Sequence, residues 1–410
     1  MSHHIAGAAA GSAIRTIAEA GSYIASVCFK HGPPEKIGIE LEWLLIDSAD
    51  PTRRVDVATL SAALGDFAPR TLNPSSPCLA LPGGGLVTVE PGGQVEISSA
   101  PSTSVPALIT AMSTDIAALD ELLKPTGFRL SELAADPHRS PRQLLHTPRY
   151  DAMAAAFDTF GPAGRLMMCS TAATQVCIDL GTAETAADRW LAADRLGPVL
   201  LAAFANSPDI AGELPPSASS RMASWWRLDP ARSAPPVTTE YLDYVARALD
   251  TQVLARQRPT ASWLVEGPLT LRDWIDSGEP VTTSDIDLHL SMLFPPVRPQ
   301  GYLELRYLDA QPAGEWIAPL ALVALLFSSP ELVGLSIHCC APATGRWQQA
   351  TEVGLADDVL RRCAVDLFEA VLPRLPELGL EAGTESTVRE LLRRRLAGRP
   401  QHQLATEGSR

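Results

Sequence analysis

Lysine is nearly missing from this sequence. It occurs only at Lys30, Lys36 and Lys124, so almost all of the 33 basic residues are arginines. They are outnumbered by 47 acidic residues, which gives a net charge of −14. Such an acidic surface repels nucleic-acid phosphates and anionic lipids. We therefore expect neither a nucleic-acid nor a membrane partner, and an anionic ligand would need a local cluster of arginines.

The sequence also lacks a long hydrophobic run and cysteines at metal-binding spacing. Its most apolar stretch, residues 317–327, contains a proline and is too short to cross a bilayer. The seven cysteines include no CxxC pair, and residues 1–14 lack the basic start of a signal peptide. These patterns predict reduced thiols in a cytoplasmic protein.

Several common catalytic motifs are absent. There is no GxxxxGK[ST] loop for nucleotide phosphates, no HExxH metal site and no GxSxG nucleophile elbow. The glycines at 83–85 do not have the GxGxxG spacing of a dinucleotide site. Cys169 and Cys177 are single thiols for which core packing is the simplest interpretation. The function therefore has to be inferred from other residues.

The composition is that of a globular protein, with 46% hydrophobic and 20% charged residues. We expect one α+β catalytic domain over residues 13–397, between loose ends at 1–12 and 398–410. Apolar residues at helical spacing predict the main helices, at 104–123, 184–205, 316–327 and 357–373.

Four segments alternate apolar and polar residues with the period of a strand, at 36–47, 94–98, 175–179 and 302–306. Solvated outer faces of half-buried strands are the plain interpretation. However, the polar positions are mostly carboxylates and amides, and like charges facing one another across a sheet repel. A divalent cation such as Mg²⁺ or Mn²⁺ between them would relieve that repulsion. The polar faces carry Glu40, Glu42, Gln94, Glu96, Gln175, Glu304 and Arg306.

Two further features extend this pattern. Glu90 ends the strand-like LVTVE and precedes Pro-Gly-Gly, which predicts a hairpin that brings Glu90 and Glu96 to the same end of the sheet. Residues 221–232, RMASWWRLDPAR, contain three arginines. They are either paired with acidic residues at the surface, with the tryptophans as core anchors, or they form a clamp for phosphate or carboxylate groups.

Five blocks of the chain resemble, in the same order, those of the glutamate–cysteine ligase family, in its bacterial type 2 and plant-like branch. They are GIELEWLLID, EPGGQVEISSAP, CSTAATQVCIDLG, the 221–232 segment and FPPVRPQGYLELRYLDAQP. The blocks run from about residue 36 to residue 312. Within the family, the sequence is most similar to the actinobacterial branch that supplies ergothioneine biosynthesis.

The resemblance implies a glutamine-synthetase-like fold, with a curved and mainly antiparallel sheet forming a funnel and helices on its outer face. It also implies the ligation of L-glutamate to L-cysteine at the expense of ATP, through a γ-glutamyl phosphate.

Carried over position by position, the resemblance implies these roles. The metal ligands would be Glu40, Glu42, Glu90, Glu96 and Glu304. Arg221 and Arg306 would hold the glutamate carboxylate or the transferring phosphoryl group, and Arg227 and Arg232 would contact ATP. The remaining substrate-binding positions would be Gln94, Gln175, Arg149, Tyr150, Trp225 and Asp229.

Some alternatives stay open. Arg149 and Tyr150 could equally belong to an ion pair at the start of a helix. The acceptor could be an amine other than cysteine, or the chain could be a guanidino-type phosphotransferase. An acidic metal-binding protein without activity is also possible, although the arginine cluster argues against it.

Overall fold

A computed structural model describes residues 11–236 and 238–397. The main sheet has six strands in the order β4-β5-β2-β7-β10-β9, and every neighbouring pair is antiparallel. Two small two-stranded sheets pair β1 with β8 and β3 with β6. The strands are β1 (Ala13–Ile14), β2 (Ile37–Trp43), β3 (Leu45–Asp47), β4 (Leu86–Val89), β5 (Val95–Ser98), β6 (Phe128–Leu130), β7 (Ala173–Ile178), β8 (Val281–Thr282), β9 (Val297–Pro299) and β10 (Leu303–Asp309).

Helices make up nearly half of the remaining described structure. They are α1 (Ile17–Cys28), α2 (Val57–Leu64), α3 (Val105–Leu123), α4 (Pro148–Phe157), α5 (Ala163–Cys169), α6 (Ala186–Phe204), α7 (Ser220–Trp225), α8 (Pro230–Ser233), α9 (Tyr241–Asp250), α10 (Leu271–Asp276), α11 (Thr283–Leu290), α12 (Ile317–Leu326), α13 (Pro330–Cys340), α14 (Trp347–Val353), α15 (Asp358–Val371) and α16 (Ala382–Leu396). The four main helices predicted from the sequence correspond to α3, α6, α12 and α15, and the α+β class is confirmed.

Local sequence explains where the long helices begin. The hydroxyl of Ser104 accepts a hydrogen bond from the Ala107 backbone N–H, and Pro106 occupies the first turn of α3. The carboxylate of Asp357 caps α15 in the same way, by accepting from Val359 and Leu360. These caps satisfy backbone N–H groups that the helix itself leaves without partners.

The apolar and polar faces of the main sheet have different neighbours. Ile39, Val176 and Leu305 on the apolar face are almost fully buried. The hydroxyl of Tyr307 on β10 donates to the Ala193 carbonyl of α6 at 3.2 Å, which places this long helix over the apolar face. The polar side chains of the alternating strands are therefore left to the opposite face, which we call the site face.

One hydrophobic cluster extends from Ala20 to Leu392 and contains most of the buried apolar residues. A single catalytic domain over 13–397 stays our proposal. Residues 1–10 and 398–410, expected to be loose, lie outside the described residues. Position 12 differs from that expectation, because its backbone exchanges hydrogen bonds with Thr283 at 2.9 and 3.1 Å.

In the described ranges, no single helix is both long enough and apolar enough to cross a membrane. Residues Ile317–Leu326 and Pro330–Ala343 together reach the required length and composition, but they are bent by 110° at the break between them.

Glycine is required at position 92, in the turn between β4 and β5. A Cβ atom there would lie 2.3 Å from the carbonyl oxygen of Cys169 and 2.5 Å from its Cα, both of them backbone atoms. We expect Gly92→Ala to lower the free energy of unfolding by about 1–3 kcal/mol, the usual cost of overpacking, as measured by urea denaturation.

Gly334→Ala is the matched control, because position 334 is exposed in α13 and a Cβ there meets nothing within 4 Å. This control should gain about 0.5–1 kcal/mol from its better helix propensity. Equal stability of the two variants would contradict the close approach at Gly92.

Candidate active site

The register of the sheet brings the polar side chains together in cross-strand rows. In an antiparallel sheet, directly opposed residues project from the same face about 5 Å apart. The rows are Thr88–Glu96–Glu42, Ser98–Glu40–Gln175 and Gly38–Cys177–Glu304–Arg298. The sequence prediction that these strands share one polar face is confirmed by this pairing.

Glu40, Glu42, Glu90 and Glu96 form what we call the carboxylate cluster. Neutral donors hold its members: the Gln175 amide donates to Glu42 at 2.8 Å and to Glu40 at 3.2 Å. The Ala173 backbone N–H donates to the second oxygen of Glu42 at 2.9 Å. The hydroxyls of Thr88 and Ser98 donate to Glu96 at 2.5 and 3.1 Å.

The cluster is buried enough to change its own protonation. Burial, followed by the charges of Glu96 and Glu304, raises the pKa of Glu40 to about 7. Burial and the charges of Glu96 and Glu90 raise the pKa of Glu42 well above its ordinary value, against the opposing effect of Arg221 and Arg306. Burial also raises the pKa of Glu90 and of Glu96. Burial and mutual repulsion thus favour the protonated form of these carboxyls over the charged form.

Glu90 reaches this end of the sheet through the predicted hairpin. Its N–H donates to the Gln94 carbonyl at 2.8 Å, and its carbonyl accepts from Gly93 at 2.9 Å. Gly93 has a φ of 92°, which suits the last position of a three-residue hairpin loop. The predicted turn is therefore present.

Arg149 and Tyr150, at the start of α4, lie near Glu90. The positive charge of Arg149 opposes the rise that burial causes in the pKa of Glu90. Burial and the charge of Glu90 together raise the pKa of Tyr150. The guanidinium of Arg149 is held by the Ser291 carbonyl at 2.9 Å and stacks on the Tyr150 ring at 5.5 Å.

Glu304 differs from the carboxylate cluster because two arginines neutralise it. Arg298 contacts both of its oxygens, at 2.6 and 3.2 Å, and Arg306 approaches to 3.1 Å. Burial alone would raise the pKa of Glu304, but these two arginines outweigh it and hold the pKa at about 2. The structure therefore gives Glu304 an ion-pair role, in addition to its place within 4.8 Å of Glu40 and Cys177.

Arg221 and Arg306, which we call the arginine pair, lie over one indole ring. Their guanidinium carbons are 5.1 and 5.5 Å from the centre of the Trp225 ring. Arg221 is only 2% exposed, donates to the Arg306 carbonyl at 2.6 Å and faces Asp309 at 3.5 Å. The positive charges of both arginines lower the pKa of Glu42, against the effect of burial. The structure thus sets a cationic region beside the carboxylate cluster.

The rest of the 221–232 segment points elsewhere. The Arg232 side chain is fully buried, donates to the Met292 carbonyl at 3.0 Å and to the Gln252 carbonyl, and lies 3.5 Å from Asp229. Asp229 caps α8 by accepting from the Ala231 N–H. Arg227 is exposed and donates to the Ala223 carbonyl. Arg232 and Asp229 are thus both used in local packing, and their roles toward ATP and substrate stay predictions.

Gln94 is buried, and its amide supports the backbone before β7 rather than a carboxylate. It donates to the carbonyls of Thr171 and Met168 at 2.8 and 3.2 Å.

Trp226, which follows Trp225 in the chain, turns away from the site. Its indole N–H donates to Thr351 at 2.7 Å, and its ring packs against Trp347 of α14 at 5.9 Å.

The donor set of the carboxylate cluster fits a hard divalent cation. Both amide N–H donations of Gln175 go to glutamates, while its buried Oε1 has no hydrogen-bond partner among the described residues. Carboxylate and amide oxygens are the ligand types that Mg²⁺ and Mn²⁺ prefer. Cys177 is a poorer ligand for them, because burial and the charges of Glu40 and Glu304 raise the pKa of its thiol.

Two residues of this site were missed by the sequence analysis. Arg298 lies on the edge strand β9, in register with Glu304. The sequence feature that could have indicated Arg298 is its position in FPPVRPQG, within one of the family blocks and in a short strand-like stretch. Cys177 was treated as a core thiol, although it shares the polar parity of Gln175 in QVCID.

Comparison with known proteins decides the family. Residues 36–406 match the profile of glutamate–cysteine ligase family 2. The chain belongs to this family. It is 35% identical over 370 residues to the glutamate–cysteine ligase EgtA of Mycobacterium tuberculosis, covering 87% of this chain and 83% of that protein. It is 33% identical to the EgtA of Mycolicibacterium smegmatis, with 87% and 84% covered.

More distant members of glutamate–cysteine ligase family 2 include plant enzymes. The chloroplastic glutamate–cysteine ligase of Medicago truncatula is 26% identical, over 75% of this chain and 65% of that protein. Among solved structures, the glutamate–cysteine ligase of Francisella tularensis in complex with AMP superposes with a TM-score of 0.52 at 12% identity. The match covers 90% of this chain and 83% of that one. It shows that the fold is shared and confirms the predicted class.

The raised pKa of Glu40 predicts that the metal-free protein becomes less stable as the pH rises. Its carboxyl keeps a proton up to about pH 7 when folded, whereas the ordinary value is 4.5. Between these values the folded state binds more protons than the unfolded state, so the free energy of unfolding falls with pH. We expect a loss on the order of 2 kcal/mol between pH 5 and pH 7 in EDTA.

Thermal unfolding measured from pH 5 to pH 7.5 would test this expectation. Glu40→Gln should flatten the profile, and saturating Mg²⁺ should remove most of the slope in the unsubstituted protein. A metal-free profile that is flat, or that rises over this range, would contradict the raised pKa.

Proposed function

We propose that this chain is an ATP-dependent ligase that joins the γ-carboxyl group of L-glutamate to the amine of L-cysteine, giving γ-glutamylcysteine for ergothioneine biosynthesis. Membership of glutamate–cysteine ligase family 2 and the two EgtA relatives support this function. The single observation that carries it is the charge interaction between Glu42 of the carboxylate cluster and the arginine pair, Arg221 and Arg306.

The reaction needs both kinds of charge close together. A carboxylate is a poor electrophile, so the γ-carboxyl group is first phosphorylated by ATP, and the amine then displaces phosphate. Phosphoryl transfer depends mainly on positioning and on the stabilisation of charge, with little covalent chemistry from the protein. A divalent cation bound by Glu40, Glu42, Glu90 and Glu96 would neutralise phosphate oxygens.

The chain's own groups have complementary roles in this proposal. Arg221 and Arg306 hold the anionic oxygens of the glutamate γ-carboxyl and of the phosphoryl group, since guanidinium groups bind both in a bidentate manner. Glu304 and Arg298 fix the direction of Arg306. Arg149 and Tyr150 form the edge of the site near Glu90 and contact substrate there. Gln175 bridges Glu40 and Glu42 by donating to both.

ADP release measured with ATP, Mg²⁺ and L-glutamate, with and without L-cysteine, tests the proposed reaction. We expect release that requires cysteine, together with γ-glutamylcysteine in the mass spectrum of the products. Release that requires glutamate but not cysteine would keep the acyl-phosphate chemistry and indicate another amine. No release would favour a metal-binding protein without activity.

Replacing one carboxylate of the cluster tests the proposed cation site. We expect Glu42→Gln to lower kcat by at least ~100-fold, because charge stabilisation is the main contribution to this class of reaction. The fold should persist, since the variant relieves repulsion among buried carboxylates. Steady-state ADP release and near-ultraviolet circular dichroism would measure both effects.

Glu121→Gln is the matched control for this variant. Glu121 is 74% exposed on α3 and pairs only with Lys124 within the described residues. The activity of the Glu121→Gln variant should therefore equal that of the unsubstituted protein. Ordinary activity of Glu42→Gln at low Mg²⁺ would remove Glu42 from the proposed cation site.

A further inference from the structure

Asp309, the last residue of β10, is a fully buried carboxylate that none of the sequence patterns singled out. It accepts hydrogen bonds from the Asn206 N–H at 2.7 Å and from the hydroxyls of Ser207 and Ser219 at 2.7 and 2.9 Å. Its only ion-pair partner in residues 11–236 and 238–397 is Arg221, at 3.5 Å. A buried charge with this many donors is held in one orientation.

An irregularity in β10 decides which face Asp309 occupies. Leu305 pairs with Val176, but Leu308 pairs with Thr174 and Asp309 with Ala173, so β10 contains one extra residue between these pairs. Strict alternation from Glu304 would turn Asp309 toward the apolar face. The bulge shifts the alternation by one residue and brings Asp309 to the site face, opposite Ala173.

Asp309 is also the point at which α7 is fixed to the sheet. Ser219 is the N-cap of α7 and accepts from the Met222 N–H, while its own hydroxyl donates to Asp309. The Ser207 hydroxyl donates to Asp309 and accepts from the Arg221 backbone N–H at 3.1 Å. One carboxylate therefore controls the backbone and the guanidinium of Arg221 together.

The remaining contacts of Arg221 show what this control achieves. Its guanidinium is bounded by Asp309, by the Arg306 carbonyl and by the Trp225 ring, and its charge acts on Glu42. Arg221 thus lies between the buried Asp309 and the carboxylate cluster. Rotation about its side chain would carry the charge away from any group bound beside that cluster.

We propose that Asp309 is a positioning residue, which fixes Arg221 at the angle required to hold the anionic oxygens of the substrate. This inference rests on the proposed ligase function, but it adds a residue that contacts neither the substrate nor the cation. A purely structural role for Asp309 makes a different prediction, because it would affect unfolding without affecting the kinetics of the folded protein.

Asp309→Asn is the variant that tests the proposal, since it keeps the size of the side chain and removes the charge. We expect kcat/KM for L-glutamate to fall roughly 10- to 100-fold, as expected when a binding group is displaced by about 1 Å. Asp309→Glu should recover part of the loss, because it restores the charge.

Asp136→Asn is the matched control. Asp136 is also buried, accepts two backbone N–H groups and pairs with Arg139 at 2.5 Å. It does not belong to the cross-strand rows of the site face. We expect it to lower the melting temperature without changing kcat/KM. If Asp309→Asn also loses only stability, Asp309 is structural and the proposal is overturned.

A double-mutant cycle with Arg221→Lys identifies the path of the effect. If Asp309 acts through Arg221, Asp309→Asn should lower kcat/KM for L-glutamate by less than about 3-fold in the Arg221→Lys background. The effects of substitutions at interacting residues are not additive in free energy. Losses that multiply in full would show that Asp309 acts elsewhere and would contradict the positioning role.

The two proposals fail in different ways. If the unsubstituted protein shows no glutamate-dependent ADP release, the ligase function fails. The positioning role of Asp309 is then tested by the rise in melting temperature that Mg²⁺ and ATP cause. A rise that is lost in Asp309→Asn and kept in Asp136→Asn supports positioning, whereas an equal rise in all three proteins overturns it.

Discussion

The structure of the site depends on the repulsion between carboxylates that the sheet register forces together. Glu42 lies directly opposite Glu96, and Glu40 is the next residue of the same parity along β2. Their separation is set by backbone pairing, so the side chains cannot relax apart. Each nearby polar group limits that repulsion, either as a neutral donor such as Gln175 or as a cation at the edge of the cluster. The divalent cation of the proposed function would reduce that repulsion further.

Much of this arrangement could be predicted from the sequence, because a strand has a period of two and its polar face can be recognised. Glu40 and Glu42 in one strand and Glu96 in another are assigned to one face without any structure. The tight turn after Glu90 follows from proline and glycine in the same way. What the sequence could not supply is the register between strands, which decides that Glu304 meets Arg298 and Cys177.

Where the structure adds to the sequence reasoning, the cause is that the partners of a residue are distant in the chain. Arg232 was grouped with Arg221 by proximity along the sequence, yet the end of α7 separates their directions, and Arg232 bonds to carbonyls at positions 252 and 292. Asp309 was overlooked because strict alternation places it on the wrong face, and the single extra residue in β10 has no signature in its composition. A bulge of this kind is recognised only from the pairing of the strands in the folded protein.

The adjacent tryptophans at the C-terminal end of α7 face two different parts of the molecule. Trp226 is fixed by Thr351 and Trp347 in the C-terminal quarter, where no motif was found, and Trp225 lies beneath two guanidinium groups. Indole emission responds to charge held above the ring. An anion bound by the arginines would therefore change the charge above Trp225, whereas Trp226 is anchored away from that point.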